Sequence, residues 1–400
     1  MRKSEGIKES RATNATLELA LVESKYFLLL KILKFYINLE RMCGRTACTL
    51  APDVLCKACS YKKNQSDGYA QVEWRDGGIG KEYNASFNFV PTFYGPVMIS
   101  KKHLDANAPV EDRVIQPMMW GLIPPWHKGS PTKHNLTTNN CRIERLTHES
   151  LTSRLYKNPL AKGRRCVVLC EGFYEWKQPE SKGGIKQPYI IYFPQPESLS
   201  IFEPETWKDR LDELWSKEDG WKGPKPLTLA GLFDVWKSPE DESIVYSYSV
   251  ITMDSCPAFS WIHERMPAIL ETEDDVNSWL DYTRITAEEA LSKLKASTIL
   301  TSHPVSTDVN NSRNQGKYLT KVIDLKKPKP LSGSGKFMAN WLSKASPAKV
   351  DKSNCVSPPK EGVKRQLSMK DPVQGTSAKK IKEDEPPSVK EFKKKPHSSF

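Results

Sequence analysis

The sequence has no long uninterrupted apolar run. In its first 41 residues the apolar character lies between Leu17 and Leu39, where charged side chains interrupt it, and the longest charge-free apolar stretch there is Tyr26 to Leu30. A membrane-spanning helix needs about 20 consecutive apolar residues. A signal peptide needs a cleaner apolar stretch and a small-residue cleavage site, and neither is evident. We therefore predict no membrane partner and no export.

The nine cysteines lack a disulfide or zinc pattern. Their number is odd and their spacing irregular, which predicts reduced thiols in a chain without an export signal. Cys56 and Cys59 have Cys-x-x-Cys spacing, but a structural zinc needs four ligands and no second pair follows at matching spacing. We predict that both lie on one turn of a helix within Pro52 to Tyr61, with no metal and no cofactor. Four other cysteines are predicted to be buried apolar residues, namely Cys141, Cys166, Cys170 and Cys256.

The folded part of the chain has little net charge. Residues 326–400 contain 18 Lys and Arg against 7 Asp and Glu, so this tail holds +11 of the formal +12. The residues before this tail carry almost no net charge, so the electrostatic field of the folded part as a whole is weak. Any acidic ligand of residues 42–325 must therefore be bound by a local groove. The tail is rich in Lys, Ser and Pro and poor in aromatic residues, which predicts disorder.

Strand signals dominate between residues 42 and 325. Runs rich in β-branched and aromatic residues predict strands over Arg164 to Leu169, Phe173 to Trp176, Pro188 to Phe193, Leu227 to Asp234 and Ile244 to Met253. Helices are predicted over Glu205 to Lys217, Thr272 to Tyr282 and Thr286 to Leu294, the last two with capping-box spacing. Strands and helices do not alternate regularly, and no repeat is visible. We predict an α+β fold, a single strand-rich domain with a barrel-like mixed or antiparallel sheet core and flanking helices.

Met42-Cys43-Gly44-Arg45 reads as the start of a protein, although 41 residues precede it. A cysteine at a chain terminus carries an amine and a thiol on adjacent carbons, and this pair can close a five-membered thiazolidine ring on an aldehyde. An α-amine has a pKa of about 7.7–8.0, so part of it is free base near neutral pH. We expect residues 1–41 to be absent from the active protein, as an upstream extension ahead of a start at Met42 or as a segment removed after synthesis. A retained amphipathic helix is the third alternative.

Several short motifs occur in a characteristic order. They are Cys43-Gly44-Arg45, Phe87-Asn88-Phe89-Val90-Pro91-Thr92, Pro117 to Trp126, Asn140-Cys141-Arg142 with Glu144, Arg165-Cys166 leading to Gly172-Phe173-Tyr174-Glu175-Trp176, and Ile262-His263-Glu264-Arg265-Met266-Pro267. Each is weak alone. In this order they resemble the SOS-response-associated peptidase family, the abasic-site processing proteins, over nearly all of residues 43–325, with Val309 to Asn314 near the end.

The resemblance implies covalent capture of abasic sites in single-stranded DNA. The α-amine of Cys43 would form a Schiff base with the ring-opened deoxyribose, and its thiol would close the thiazolidine. By resemblance, Glu175 and His263 would transfer protons, with His263 acting on the deoxyribose ring oxygen, and Asn140 would orient the amine or the sugar. The alternatives for these residues are a surface strand carboxylate, a structural histidine and a turn-forming asparagine.

Contacts with DNA are also implied by the resemblance. Arg45 and Arg142 would bind phosphates. Asn88 and Pro91 match the family loop that lines the site, and Trp126 would stack on a base or act as a wedge. Two positions depart from the family pattern. His127 stands where an aromatic or apolar residue is usual, and Met119 stands where arginine is frequent. The tryptophans Trp120, Trp236 and Trp279 are predicted to be core residues.

Three functions compete at this point. The first is a DNA–protein crosslinking enzyme that shields abasic sites during replication-coupled repair, acting as a monomer. The second is a cysteine peptidase with Cys43 as nucleophile and His263 as base, cutting mainly its own chain before Cys43. The third is a non-covalent reader of modified cytosine, for which a flipped-base pocket is expected.

The tail contains candidate targeting or nucleic-acid-binding segments and a candidate partner-binding segment. Lys379 to Lys382 and Lys393 to Lys395 are candidate nuclear-import or nucleic-acid patches, and a solvated flexible tail is the alternative. Phe337, Met338, Trp341 and Leu342 form an apolar island that could dock on a partner such as a replication sliding clamp. We expect the protein in the nucleus, at replication forks.

Overall fold

A computed structural model of the protein describes residues 44–63, 68–147, 154–179, 181 and 183–326. Cys43, the segment before it and the tail from residue 327 lie outside the described residues, so the predictions for them stay predictions. The described residues belong to one compact unit with an α+β fold. None of their helices is long and apolar enough to cross a membrane.

Short strands make up most of the regular structure in the described residues. The strands are β1 (Thr46–Cys48), β2 (Tyr61–Lys62), β3 (Tyr69–Ala70), β4 (Glu73–Trp74), β5 (Ser86–Phe89), β6 (Tyr94–Ser100), β7 (Arg113–Trp120), β8 (Asn140–Arg142), β9 (Arg165–Cys170), β10 (Gly172–Lys177), β11 (Gln187–Tyr192), β12 (Trp215–Ser216), β13 (Gly220–Trp221), β14 (Leu227–Lys237), β15 (Ile244–Asp254), β16 (Arg265–Pro267) and β17 (Thr301–Pro304). The α-helices are α1 (Pro52–Ala58), α2 (Glu144–Thr147), α3 (Arg154–Ala161), α4 (Leu211–Leu214), α5 (Glu273–Leu280) and α6 (Ala287–Ser292). Short 3-10 helices cover Lys101–His103, Pro204–Thr206, Lys208–Arg210, Thr307–Asn310 and Lys317–Thr320.

Five strands close into a mixed barrel. The order β15-β14-β9-β6-β7 is antiparallel throughout, and β7 then pairs parallel with β15 through Ser247 and Met119, which completes the ring. Closure leaves these strands without free edges. The predicted barrel-like sheet core is therefore confirmed.

A second sheet covers one side of this barrel. Its five strands follow the order β17-β11-β10-β1-β5, and all of their pairings are antiparallel. Phe89 from this sheet stacks on Trp120 of the barrel, which in turn stacks on Tyr248, with ring centroids 6.2 and 6.3 Å apart. The burial of these aromatic rings holds the sheet against the barrel.

The predicted core residues are buried. Trp120, Trp236 and Trp279 are each at most 4% exposed, and the four cysteines predicted as apolar core residues are buried as well. Cys56 lies in α1 and Cys59 caps its C-terminus, so the predicted helix is present. Burial raises the pKa of the two thiols to about 11 and about 12 respectively. Both sulfurs are therefore neutral thiols at physiological pH.

The predicted strands match β9, β10, β11, β14 and β15 to within a few residues at each end. The predicted helix over Glu205 to Lys217 is wrong. Two 3-10 turns and the four-residue α4 occupy this range, and Trp215 begins a hairpin strand that pairs with Trp221. Trp207 is buried with a non-helical φ of −141° and donates its indole N–H to the Ser200 carbonyl. Burial of this side chain outweighs the local helix preference.

The predicted capping box at α5 is confirmed. The Thr272 side chain accepts a hydrogen bond from the Asp275 N–H, and the Asp275 carboxylate accepts one from the Thr272 N–H. At α6, the Thr286 hydroxyl likewise accepts from the Glu289 N–H. These bonds satisfy amide donors that the first helical turn leaves unpaired.

Replacing Thr272 with alanine should lower the free energy of unfolding by about 1 kcal/mol, because the first turn of α5 loses its cap. Denaturant unfolding measures this change. Ser278→Ala, in the middle of the same helix, is the matched control and should leave stability nearly unchanged. Equal stability of Thr272→Ala and the unsubstituted protein would show that the cap contributes nothing.

Candidate functional site

The pairing of β1 fixes where the described chain joins the second sheet. Thr46 pairs with Phe173 of β10, and the Tyr174 N–H donates to the Arg45 carbonyl at 2.9 Å. Continuing this antiparallel register by one residue brings Gly44 level with Glu175. The described chain therefore begins beside the predicted catalytic carboxylate.

Glu175 is a buried residue in the middle of β10. Its exposed fraction is 3%, and its cross-strand partner is Tyr189 of β11. The interpretation of Glu175 as a surface strand residue is therefore wrong. Burying a charged carboxylate costs free energy unless hydrogen-bond donors or positive charges compensate for the lost hydration. Buried ionisable side chains are frequent at functional sites.

The loop that carries His263 packs on the same strand pair. The ring of Trp261 meets the ring of Tyr189 edge to face, with centroids 5.0 Å apart and an interplanar angle of 88°. Since Tyr189 lies directly opposite Glu175 in the antiparallel pair, this contact brings the loop to the face of the sheet to which Glu175 belongs. Ile262, next to His263, is buried in the same apolar cluster as Tyr189.

His263 has a defined tautomer in this geometry. Its Nδ1 accepts a hydrogen bond from the Arg265 N–H at 3.1 Å, and the ring is half-buried. A nitrogen that accepts from an N–H carries no proton, so Nε2 carries the hydrogen of the neutral ring. Nε2–H can donate a hydrogen bond to a bound oxygen. Full proton donation requires Nδ1 to be protonated, which breaks the bond from Arg265.

Asn140 and Arg142 lie on a strand that pairs with the barrel. They lie two residues apart on β8, which pairs parallel with β15 through Val250 and Thr252, and both are half-buried. Residues two apart in a strand point to the same face. Val250, opposite Asn140, belongs to the apolar cluster that also contains Phe173, Tyr189 and Ile262. One cluster thus supports the segments of Asn140, Glu175 and His263, which are far apart in sequence.

Arg265 joins two of these segments. Its guanidinium donates to both Glu144 carboxylate oxygens at 2.6 and 2.9 Å and to Asp254 at 2.6 Å. Burial opposes the charge, but the hydrogen bonds to the two carboxylates outweigh it and raise the pKa of Arg265. The side chain of Arg265 therefore anchors α2, which follows β8, to the strand that follows His263.

Arg45 and Asn88 are directed towards a loop of the protein itself. The Arg45 Nη1 donates to the Asn88 Oδ1 and to the Val309 carbonyl, both at 2.7 Å. Asn88 is fully buried, and its amide nitrogen lies 3.0–3.3 Å from the carbonyls of Val309, Asn311 and Asn314. In this geometry Asn88 positions the loop instead of presenting its amide to a ligand. Arg45 is half-buried, and its predicted phosphate contact stays a prediction.

Trp176 is a site residue that the sequence analysis missed. Its indole N–H donates to the Asn310 side chain at 2.6 Å, so the residue after Glu175 also holds the loop from Val309 to Asn314. The same loop exposes Arg313. The motif Val309 to Asn314 was recognisable in the sequence, but its partners were not, because they lie more than 130 residues away.

Two loops carry the remaining predicted DNA contacts. Trp126 is 62% exposed, and Pro91 is half-buried at a turn where Thr92 has a positive φ of 78°. This conformation is unusual for a β-branched residue and shows that the turn is held by its surroundings. The Thr92 N–H donates to the Trp120 carbonyl at 2.7 Å, which fixes the turn to the barrel.

The two departures from the family pattern have different surroundings. Met119 is 1% exposed and packs with Ile123, Trp236 and Val245, so it is a core residue. His127 lies beside Trp236, with ring centroids 6.0 Å apart, and its Nε2 is 2.7 Å from the Ser130 carbonyl. Met119 is therefore too deeply buried to contact a phosphate. His127, in contrast, makes contacts that help to fix the conformation of the loop that carries Trp126.

A cavity lies away from these residues. It has a volume of about 550 Å³ and is lined by Cys59, Arg113, Trp221, Lys225 and Glu273, among others, but by none of the predicted site residues. Within the described residues, no group of three or more His, Cys, Asp and Glu side chains is placed to hold a metal.

Comparison with known proteins identifies the family to which this chain belongs. The family model described as "SOS response associated peptidase (SRAP)" matches residues 42–312. A protein named abasic site processing protein HMCES from Xenopus tropicalis is 44% identical over 79% of this chain and 90% of its own length. Proteins with the same name from Rattus norvegicus and Pongo abelii are 43% and 42% identical, over 77% and 78% of this chain and 84% and 85% of theirs.

Replacing Asn88 with alanine should lower the free energy of unfolding by about 2–3 kcal/mol, because buried carbonyls of the loop lose their donor. Thermal or denaturant unfolding measures the loss. Asn84→Ala, at an exposed position four residues earlier, is the matched control and should change stability by less than about 0.5 kcal/mol. A neutral Asn88→Ala substitution would mean that the loop is held by other contacts.

Proposed function

Because the chain belongs to the SOS response associated peptidase family, we propose that it processes abasic sites in single-stranded DNA. The relatives that are more than 40% identical to it over the aligned residues are named abasic site processing proteins. The observation that supports the proposal is the pairing of β1 with β10, the strand that contains the buried Glu175, together with the packing of the His263 loop on Tyr189, the cross-strand partner of Glu175.

The proposed reaction is covalent capture through an N-terminal Cys43. The free α-amine attacks the aldehyde carbon of the ring-opened deoxyribose, and loss of water gives an imine. The thiol then adds to the imine carbon, and its proton passes to the nitrogen, which closes the thiazolidine. One C–N and one C–S bond form, and the aldehyde oxygen leaves as water.

The buried carboxylate and the imidazole supply the proton transfers in this scheme. Opening the sugar ring and dehydrating the carbinolamine both need a general acid or base. Nε2–H of His263 can donate a hydrogen bond to the ring oxygen while Nδ1 accepts from the Arg265 N–H, and it transfers a proton only when Nδ1 is protonated and that bond is released. Glu175 then accepts and returns protons beside the amine, and Asn140 holds the sugar or the amine in place.

DNA is held by phosphate and base contacts around this centre. Arg142 lies two residues from Asn140 on the same strand face, which suits a phosphate next to the abasic sugar. Trp126 presents an exposed ring on which a base can stack. Basic clusters in the tail would bring the protein to the nucleus, and the apolar island around Trp341 would bind a replication clamp there.

A peptidase acting on its own chain is the second candidate. The family description names a peptidase, and the candidate nucleophile Cys43 would itself become the first residue after such a cut. Such a cleavage would release the aminothiol that capture needs, so the two activities are compatible. One denaturing gel separates the functions: a covalent band with abasic single-stranded DNA indicates capture, peptide cleavage alone indicates a peptidase, and reversible binding alone indicates a reader of modified bases.

Adding one residue before Cys43 should abolish the denaturation-resistant adduct, because the cysteine nitrogen becomes an amide and cannot form an imine. The measurement compares protein that begins at Cys43 with protein that carries one preceding alanine, each terminus being verified by mass spectrometry. Cys43→Ser keeps the amine but lacks the thiol, so its reversible imine should not survive denaturation. Equal adduct from the full 400-residue chain would contradict the mechanism.

Glu175→Gln should slow adduct formation, reversal or both by about a hundredfold, because the amide keeps the shape of the side chain but cannot transfer a proton. Single-turnover kinetics with abasic single-stranded DNA measures both directions. Glu197→Gln, at an exposed carboxylate, is the control and should leave both rates unchanged. Unaltered rates in Glu175→Gln would remove this residue from the mechanism.

A further inference from the structure

Trp261 is a large aromatic residue that the proposed mechanism leaves unused. It lies two residues before His263 and is 46% exposed, whereas Trp120, Trp207 and Trp279 are at most 2% exposed. Exposing a large part of an indole ring forgoes the free energy that its burial would contribute. An exposed aromatic ring beside a candidate catalytic residue indicates a binding surface.

The ring of Trp261 is held in place. The edge-to-face contact with Tyr189 supports it from the sheet, and the indole N–H donates to the Ala258 carbonyl at 2.9 Å. Tyr189 is itself buried and cannot move aside. A ring fixed in this way loses little conformational freedom when a ligand stacks on it.

A cation lies beside the indole. The Lys177 Nζ is 5.8 Å from the centroid of the Trp261 ring. Lys177 is two residues beyond Glu175 on β10, so the two side chains belong to the same face of the sheet. An aromatic ring next to an ammonium group suits one nucleotide of single-stranded DNA, with its base on the ring and its phosphate near the cation.

We propose that Trp261 is a stacking platform for the nucleobase directly adjacent to the abasic nucleotide, with Lys177 at the phosphate between them. This inference rests on the proposed function, because it takes the abasic sugar to lie at Glu175 and His263. From there the ring is the nearest exposed aromatic surface on the His263 loop. Stacking tolerates any base, so the platform adds affinity without sequence preference.

The experiment measures reversible binding of single-stranded DNA that contains one tetrahydrofuran, a stable abasic analogue that cannot be captured. Trp261→Ala should weaken binding about tenfold, and Trp261→Phe should stay within about threefold of the unsubstituted protein. Ile79→Ala, at a fully exposed position, is the control for loss of a surface apolar side chain and should bind normally.

A second DNA series separates stacking from a structural effect. The base on one side of the tetrahydrofuran is removed, first on the 5′ side and then on the 3′ side. For one of the two sides, the loss caused by Trp261→Ala should disappear, because no base remains to stack. The inference would be overturned if Trp261→Ala and the unsubstituted protein bound this DNA with equal affinity. It would also be overturned if the affinity lost in Trp261→Ala were the same whether or not either neighbouring base was present.

Capture of natural abasic DNA by the unsubstituted protein distinguishes the two proposals. Suppose that this protein forms the adduct, but the affinity lost in Trp261→Ala does not depend on the neighbouring base. Then Trp261 is not a stacking platform, and the proposed function stands. If the protein that begins at Cys43 and is otherwise unsubstituted forms no adduct, the proposed function fails, and the platform with it. Thermal unfolding shows whether each variant is folded. Trp261→Phe, which keeps an aromatic ring, is the comparison for Trp261→Ala.

Discussion

The pairing of β1 with β10 is the constraint on which the candidate site depends. The bond from the Tyr174 N–H to the Arg45 carbonyl fixes the register, and a slip of one residue would turn each side chain of β1 to the opposite face. The hydrogen bonds of Arg45 and Asn88 to the loop at Val309 oppose such a slip from the other side. The short β1, three residues long, is thereby placed as firmly as a longer strand.

The closed barrel and the covering sheet bring the other groups to this point. Asn140 arrives on β8 against the barrel, Glu175 on β10 of the covering sheet, and His263 on a loop that packs on Tyr189. One apolar cluster between the two sheets supports all three segments. Asn140 and Glu175 are thus attached to strands, and the loop of His263 packs on the neighbouring strand β11, which suits the proposed reaction, because that reaction needs an amine, a carboxylate and an imidazole around one sugar.

Local signals in the sequence were sufficient for part of this arrangement. The strands from Arg165 to Cys170 and from Ile244 to Asp254 and the cap at Thr272 are encoded by nearby residues, and they were predicted closely. The helix over Glu205 to Lys217 failed because burial of Trp207 is a tertiary effect. The full burial of Asn88 and the support of Trp261 by Tyr189 depend on contacts across the fold. Composition and spacing contain no signal for such contacts.

The identity of the linked residue tests the central claim most directly. Trypsin digestion of the adduct formed with abasic DNA, followed by nuclease treatment and mass spectrometry, locates the sugar remnant. The account predicts a modified peptide Cys43–Arg45 that lacks Met42 and carries the deoxyribose phosphate with the loss of one water. A remnant attached to a lysine, or to a peptide that still contains Met42, would contradict it.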